Sequence, residues 1–502
     1  MNPFPAAPAA LRDAPMAPDP IILSLGTTKP QRLAGNFLVL AGAEVASKVI
    51  TLVTFAFVAR LAGPSGFGYL EFASSVALCA ALFVDQGFGV YGAREIARSP
   101  SSTAQLVTEI AWLRFVLAGA AYAGLYLFVS VLDRPQSSKQ LVLLYGLTVV
   151  LTPLMLQWVF QGYDRMLPVA GMQVLRQGAF ALVVFLLLQR RDQLWAVGVA
   201  ELAGAASVVI VSLWLYRRQF HHGVALKPAF SWRVVGEGCT IGLGQLLWSL
   251  RMYGATIMVG MIATEKDVGF FGAAMRLTIG LNAFVWLYFF NLFPSLSRNW
   301  RLRPTDFQRL MSRSIRTSGW LSLGGGIMWV LLAPFVIRLA YGAAFAGAIL
   351  PLQWMSGICA LGAIHGNFRF GLIAATHERY ATLSAGIGTA VALVLIPLGY
   401  SRLGVEGATI ALLAGEAVVW ITSYAFSRRL LQLEQPFLQL ARPLAAGAAI
   451  ILALWALPPQ TPLVAGLGIS IVGLGIAFCA SEAEIWHDAK IDLATWVRNK
   501  RS

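Results

Sequence analysis

The sequence predicts an all-α polytopic membrane protein, with fourteen transmembrane helices in two pseudo-symmetric six-helix lobes around a central cavity, plus two C-terminal helices. Three observations lead there. Of the 502 residues, 58% are apolar and only 12% charged, with a mean hydropathy of +0.69, against roughly 45–50% and about 25% in soluble domains. The apolar residues are gathered into runs long enough to cross a hydrocarbon core of about 30 Å, which takes about 20 residues. Landmarks in the first six runs recur, in order, in the next six.

The elements follow from the amino terminus. Residues 1–32 are rich in Pro and Ala, and their one apolar stretch, Pro20–Leu25, is too short for the apolar core of a signal peptide. A disordered cytoplasmic tail is expected there. The first lobe, 33–218, holds spans at Leu33–Leu61, Leu70–Tyr91, Leu106–Leu132, Gln140–Phe160, Pro168–Leu188 and Leu194–Tyr216. A cytoplasmic inter-lobe loop, 219–235, leads to the second lobe, 236–429. Its spans are Gly236–Ile262, Gly269–Phe293, Ser318–Leu339, Ala348–Ala374, Tyr380–Tyr400 and Gly404–Phe426. Spans Ala441–Leu457 and Pro462–Ala480 occupy 441–480, and 481–502 form a cytoplasmic tail.

Lys and Arg in short loops favour the cytoplasm. With the amino terminus inside, 24 of the 38 basic residues fall on cytoplasmic segments, 7 on external ones and 7 within spans. Both termini are therefore expected to be cytoplasmic, with the doublet Arg190 and Arg191 as the main exception. The repeat rests on three pairs of landmarks. Gly66-Phe67-Gly68 corresponds to Gly269-Phe270-Phe271 at an offset of 203, Gly198-Val199 to Gly404-Val405, and Arg217-Arg218 to Arg428-Arg429.

An ionisable side chain at membrane depth costs from about 2.5 kcal/mol upward, so each one is a functional candidate. The basic ones are Lys48, Arg114, Arg176, Arg251, Arg276, Arg338 and Arg369. Arg114, Arg176, Arg276 and Arg369 lie near enough to span ends either to snorkel or to face a cavity, and Arg338 reads as an interface anchor. Lys48 and Arg251 each lie about fifteen residues into their spans, and the offset of 203 maps one onto the other. They are expected to line one cavity, unless each neutralises a buried acid. Glu44 stands one turn before Lys48, the favourable order for such a pair, whereas no acid lies near Arg251 in its own span. Glu44, Asp85, Glu201 and Glu416 could each carry a proton or serve a structural role, with Glu44 and Asp85 the candidates for a proton or gating role; Asp85 is also placed to tie down the basic loop that follows it, and His365 reads as packing.

Cys79, Cys239, Cys359 and Cys479 show neither paired nor metal-ligand spacing. There is no Gly-rich Lys-Ser/Thr phosphate loop, zinc motif or sizeable extramembrane domain, so neither an enzyme nor a cofactor is expected. The net charge of +15 is dispersed between apolar runs, which argues against nucleic acid as a partner.

Four stretches carry a resemblance. They are Arg60-Leu61-Ala62-Gly63-Pro64-Ser65-Gly66-Phe67-Gly68, Asp85-Gln86-Gly87-Phe88-Gly89 with Arg94-Glu95-Ile96-Ala97, Trp158-Val159-Phe160-Gln161-Gly162-Tyr163-Asp164-Arg165-Met166, and Phe293-Pro294-Ser295-Leu296-Ser297. In them the chain resembles the polysaccharide biosynthesis (O-antigen) flippases of the multidrug/oligosaccharidyl-lipid/polysaccharide exporter superfamily. The resemblance implies a V-shaped pair of lobes in a bacterial cytoplasmic (inner) membrane, with alternating access to a cationic cavity. The implied cargo is an undecaprenyl-pyrophosphate-linked oligosaccharide moved to the outer leaflet, among membrane lipids and beside polysaccharide polymerase and chain-length machinery. Lys48 and Arg251 would then hold the pyrophosphate, with Arg114, Arg176 and Arg276 as further cavity cations. Two other readings stay open: a cation-coupled multidrug exporter of the same superfamily, which needs an anionic lumen, and a membrane-embedded polymerase or glycosyltransferase, which needs a large external loop.

Overall fold

A computed structural model describes residues 30–220, 231–433, 436–456 and 463–481. The expected disordered tail up to residue 29, most of the inter-lobe loop and the carboxy-terminal tail from 482 lie outside the described residues. Among the described residues there are helices and no strands. In chain order they are α1 (Pro30–Asp85), α2 (Phe88–Arg98), α3 (Thr103–Val131), α4 (Gln136–Leu151), α5 (Gln157–Gly162), α6 (Met166–Leu187) and α7 (Trp195–Phe220). Then follow α8 (Trp232–Ile262), α9 (Glu265–Leu302), α10 (Pro304–Ala340), α11 (Ile349–Ala374), α12 (Glu378–Leu430), α13 (Pro436–Trp455) and α14 (Leu463–Ser481). α1 begins at Pro30, inside the stretch expected to be a tail.

Among the described residues, nine helices are long and apolar enough to cross a membrane, and two of these are too long to cross only once. At 56 and 53 residues, α1 and α12 would measure about 80 Å if straight. Each is broken by a glycine with positive φ, Gly63 (φ 71°) and Gly404 (φ 58°), a conformation that side chains disfavour. Pro64 follows the first break, where a missing N–H costs nothing. In α12 the arms run antiparallel: Gly388 lies against Gly415 and Val419, and Gly399 against Gly407, small residues that let two backbones approach. In α1 the rings of Phe55 and Phe67 lie 6.3 Å apart, whereas twelve residues of straight helix would separate them by about 18 Å. The expected spans fall on helices or on arms of the broken helices, except that Leu70–Tyr91 runs through the turn between α1 and α2 and Gln140–Phe160 through the irregular stretch between α4 and α5, while the expected ends Leu457 and Pro462 lie outside the described residues.

Helices α1–α7 pack among themselves, as do α8–α12, while α13 and α14 lie on α10. Gly319 admits Leu440 and Pro443, Gly447 admits Leu323, and Trp320 meets Phe478 ring to ring.

Two of the contacts between the lobes lie along the second arm of α1 and its continuation α2. At the first, Gly68 abuts the Glu265 carbonyl and Gly269 abuts the Pro64 carbonyl. These contacts are reciprocal, as a two-fold axis requires, and they relate the lobes by 201 positions rather than 203. On that register Lys48 is level with Ser249 and Arg251 with Ile50. Two residues turn a helix by about 200°, so the expected match of Lys48 with Arg251 puts the two side chains on different faces. At the second contact, 19 residues or about 28 Å further along, Gly87 (φ 77°) lies against Gly238 and Gly242 of α8. Ion pairs from Arg94 to Glu237 and from Arg233 to Glu95 reinforce it.

A methyl group at Gly68 would overlap the Glu265 carbonyl, whereas one at Gly119 meets open space. Gly68→Ala is therefore expected to destabilise the protein by about 1–3 kcal/mol, the usual cost of overpacking, and Gly119→Ala not at all. Thermal unfolding in detergent reads the difference; equal midpoints would mean that the lobes do not meet at Gly68.

Candidate functional site: a charged, aromatic pocket in the second lobe

One cleft of about 340 Å³, mouth included, lies among α8, α9, α11 and α12. Its charged lining residues are Arg251 from α8, His365 and Arg369 from α11, and Glu416 from α12; Trp248 and Trp286 are prominent in its aromatic wall. His365 and Arg369 are four residues apart and therefore share one face of α11. Gly366, beside them, is required by packing, because the Phe289 ring of α9 occupies the space a side chain would need. That close approach brings α9 and its tryptophan up to the charged face of α11.

Glu416 sits between two partners. Its Oε2 is 2.9 Å from Arg251 Nε, and its Oε1 is 2.7 Å from His365 Nε2. Both Arg251 and Glu416 are almost fully buried, with side chains 3% exposed. The Arg251 contact has ion-pair distance without hydrogen-bond alignment, so Nε and Nη1 of Arg251, Oε2 of Glu416 and Nδ1 of His365 have no hydrogen-bond partner. Arg369 adds a second guanidinium, with its carbon 4.7 Å from the Trp286 ring centroid, a cation–π contact that steadies a charge without neutralising it. Two guanidinium groups thus face one carboxylate. Buried donors left open beside surplus positive charge suit an anion, and the planar fork of arginine matches the oxygens of a phosphate.

Lys48, Arg114, Arg176 and Arg276 lie elsewhere, each beside an acid, and Arg338 stands in the last turn of α10. Lys48 is 3.5 Å from Glu44, both side chains about 40% exposed, and Glu44 also accepts from Gln173. Lys48 does not line the pocket that holds Arg251. Arg114 is buried and pairs with Asp85, so Asp85 ties down α3 and not the basic loop that follows it. Arg176 lies 3.8 Å from Glu201. Arg276 bonds Glu71 at 2.7 Å across the lobe interface and covers the Phe55 ring at 3.5 Å. Neither Arg114 nor Arg276 snorkels; each reaches an acid on a neighbouring helix, which removes the reason to seek the headgroups. Sequence reasoning passed over Glu71, treated His365 as packing and weighed Glu416 as a proton carrier or a structural acid. Glu71 had the signal of any acid inside an expected span, while its pairing with Arg276 depends on the 201 register, which the structure alone sets. The partnership of Arg251 with Glu416, 165 residues away on another helix, had none.

Among the described residues no group of three or more His, Cys, Asp or Glu is arranged to hold a metal ion.

Residues 33–300 match the model of the family described as "Polysaccharide biosynthesis protein". A protein of Escherichia coli (strain K12), named "Putative O-antigen transporter", is 23% identical over 418 residues, covering 80% of this chain and 98% of that one. Among solved structures, the lipid II flippase MurJ in an inward closed conformation superposes with a TM-score of 0.68 at 12% identity, covering 90% of this chain and 100% of that one. An inward-facing multidrug resistance MATE family transporter of the MOP superfamily superposes with a TM-score of 0.61 at 16% identity, covering 79% and 98%. At these identities the likeness establishes a shared fold.

Removing one partner of a buried ion pair strands the other, at a cost of about 3–5 kcal/mol, whereas replacing both by apolar groups is often neutral. Arg251→Met is expected to lower the thermal midpoint strongly, and Arg251→Met with Glu416→Leu to recover most of the loss. Additive losses in the double variant would mean that the two residues do not act as a pair.

Proposed function

Since the chain belongs to the polysaccharide biosynthesis protein family, we propose that it is a flippase for a lipid-linked oligosaccharide, moving cargo from the inner to the outer leaflet of a bacterial cytoplasmic membrane by alternating access. The observation that carries this reading is the buried Arg251 guanidinium, with unpartnered donors in a pocket shared with Arg369 and rimmed by tryptophans. An undecaprenyl-pyrophosphate-linked oligosaccharide has the complementary parts. Its two phosphate charges meet the guanidinium groups, its sugars find aromatic faces, and its lipid chain stays in the bilayer. Lys48, half-exposed on the first lobe, is the cation that would meet the headgroup from the opposite side. Arg114, Arg176 and Arg276 serve in this reading as cations of the pathway that their paired acids hold in place. The polymerase and chain-length machinery would receive the glycan on the far side.

Physics supports the direction. With the inside of the membrane negative and both termini cytoplasmic, moving two negative charges outward through about 100 mV is favoured by roughly 4–5 kcal/mol. A multidrug exporter for cationic compounds is disfavoured by the same pocket, whose positive charge would repel them.

The test is glycan export in cells whose own flippase has been deleted. Arg251→Gln and Arg369→Gln, each assayed for membrane insertion, are expected to reduce export by at least about tenfold, since a charged hydrogen bond contributes about 1.5–3 kcal/mol. Lys48→Gln combined with Arg251→Gln is expected to abolish it. Undiminished export by the inserted double variant would overturn the reading.

A further inference from the structure

An empty anion site with a buried guanidinium needs something to balance that charge, and Glu416 does so here. It lies against Arg251 Nε at 2.9 Å, as a phosphate oxygen would. An arriving anion has to take Arg251 from Glu416, and in doing so leaves two negative groups side by side in a medium of low dielectric. Such a pair repels strongly unless one member is neutralised.

The pocket contains one group able to relieve that repulsion. A neutral His365 that donates from Nε2 to Glu416 Oε1, 2.7 Å away, has an unprotonated Nδ1. That nitrogen is buried and has no hydrogen-bond partner. A proton added there gives an imidazolium that keeps its bond to Glu416 and neutralises it, freeing the guanidinium. It also turns Nδ1 from an acceptor with nothing to accept into a donor for the incoming anion. The charged and titratable groups around this spot are Arg251 on α8, His365 and Arg369 on α11 and Glu416 on α12, while α9 adds only the neutral amide of Asn282. Among the described residues no other acid lines the pocket to take the proton instead.

We infer that Glu416 is a resident stand-in for the cargo's anionic group, and that binding a pyrophosphate-bearing headgroup takes up one proton, carried on Nδ1 of His365. No covalent bond changes in this step: the proton comes from water, Arg251 passes from the carboxylate to a phosphate oxygen, and both return when the anion leaves. Occupation then adds one net negative charge to the pocket where the headgroup brings two, so a cargo that moves with its proton gains from the membrane voltage about half of what the bare headgroup would gain, and a lower pH strengthens binding. This inference rests on the pocket being the anion site proposed above.

Calorimetry on the full-length protein in detergent tests both layers, using a short-chain polyprenyl pyrophosphoryl-N-acetylglucosamine, whose diester phosphates do not titrate near neutrality. The wild type is expected to take up one proton per molecule bound, read from the dependence of the heat on buffer ionisation. Its affinity should fall as pH rises, by up to about tenfold per pH unit wherever a full proton is taken up, as one linked proton requires. Glu416→Gln is expected to bind without proton uptake, independently of pH, and more tightly than wild type at alkaline pH. His365→Phe is expected to lose the uptake and bind weakly throughout. Wild-type binding without proton uptake overturns the stand-in on its own, even where a variant fails to fold, and so does tighter binding by wild type than by Glu416→Gln at high pH. Arg251→Gln separates the layers. Its binding as well as wild type, or no binding by either, overturns the pocket as anion site and this inference with it; its loss of binding while the wild type binds without a proton overturns the inference alone.

Discussion

A hydrocarbon layer offers no water to an open backbone group or a bare charge, and most of this molecule answers to that constraint. Helices satisfy their own backbone, so the crossing segments are helical. Where a span is interrupted, protein closes the gap. The turn Asp85–Gly87 packs against the glycines of α8, with Gly87 buried there, and the irregular stretch after α4 receives a hydrogen bond from Ser212 Oγ to the Leu154 carbonyl. The same rule governs side chains. Lys48, Arg114, Arg176, Arg251 and Arg276 each lie beside a carboxylate supplied from one turn away or from a neighbouring helix.

The contacts between lobes combine two materials with different strengths. Glycines bring backbones together at Gly68 with Gly269 and at Gly87 with Gly242, and ion pairs stand beside each contact. Near the first, Arg134 reaches from the loop after α3 to Glu265 and to the last carbonyls of α8, and Glu71 holds Arg276 within the protein. Near the second, the pairs from Arg94 and Arg233 are substantially exposed. Exposed pairs contribute about 0–1 kcal/mol, whereas parting a buried one strands a charge. The two ends are therefore unequal, and the contact reinforced by Glu71 and Arg276 resists separation more.

The lobes also differ in how their charge is balanced. In the first lobe Lys48, Arg114 and Arg176 each meet a carboxylate of their own, although Nε of Arg114 is buried without a hydrogen-bond partner. In the second lobe a single carboxylate serves Arg251, with Arg369 resting on an aromatic face instead of an acid. That imbalance gives the second lobe a preference for anions. Gly366 is as much a part of it as the charges, because it admits Phe289 and so sets the distance between α9 and α11.

The amino-acid sequence by itself determined the class of the protein, the places where its helices run, and the depth of its charges. These follow from hydrophobic length and residue type, which act locally and leave a periodic record. Its span boundaries after Leu61 and Tyr400 also placed the reversals in α1 and α12, while the structure showed that Gly63 and Gly404 make them with positive φ. What tertiary structure alone decided is which charges face each other. A register of 201 rather than 203 separates Lys48 from Arg251 by most of a turn, and it is set by a backbone contact between Gly68 and Glu265 that no local pattern reports. The partnership of Arg251 with Glu416 and His365 depends on three helices meeting at one depth. Packing geometry fixes such a meeting, and residues far apart along the chain carry no trace of it.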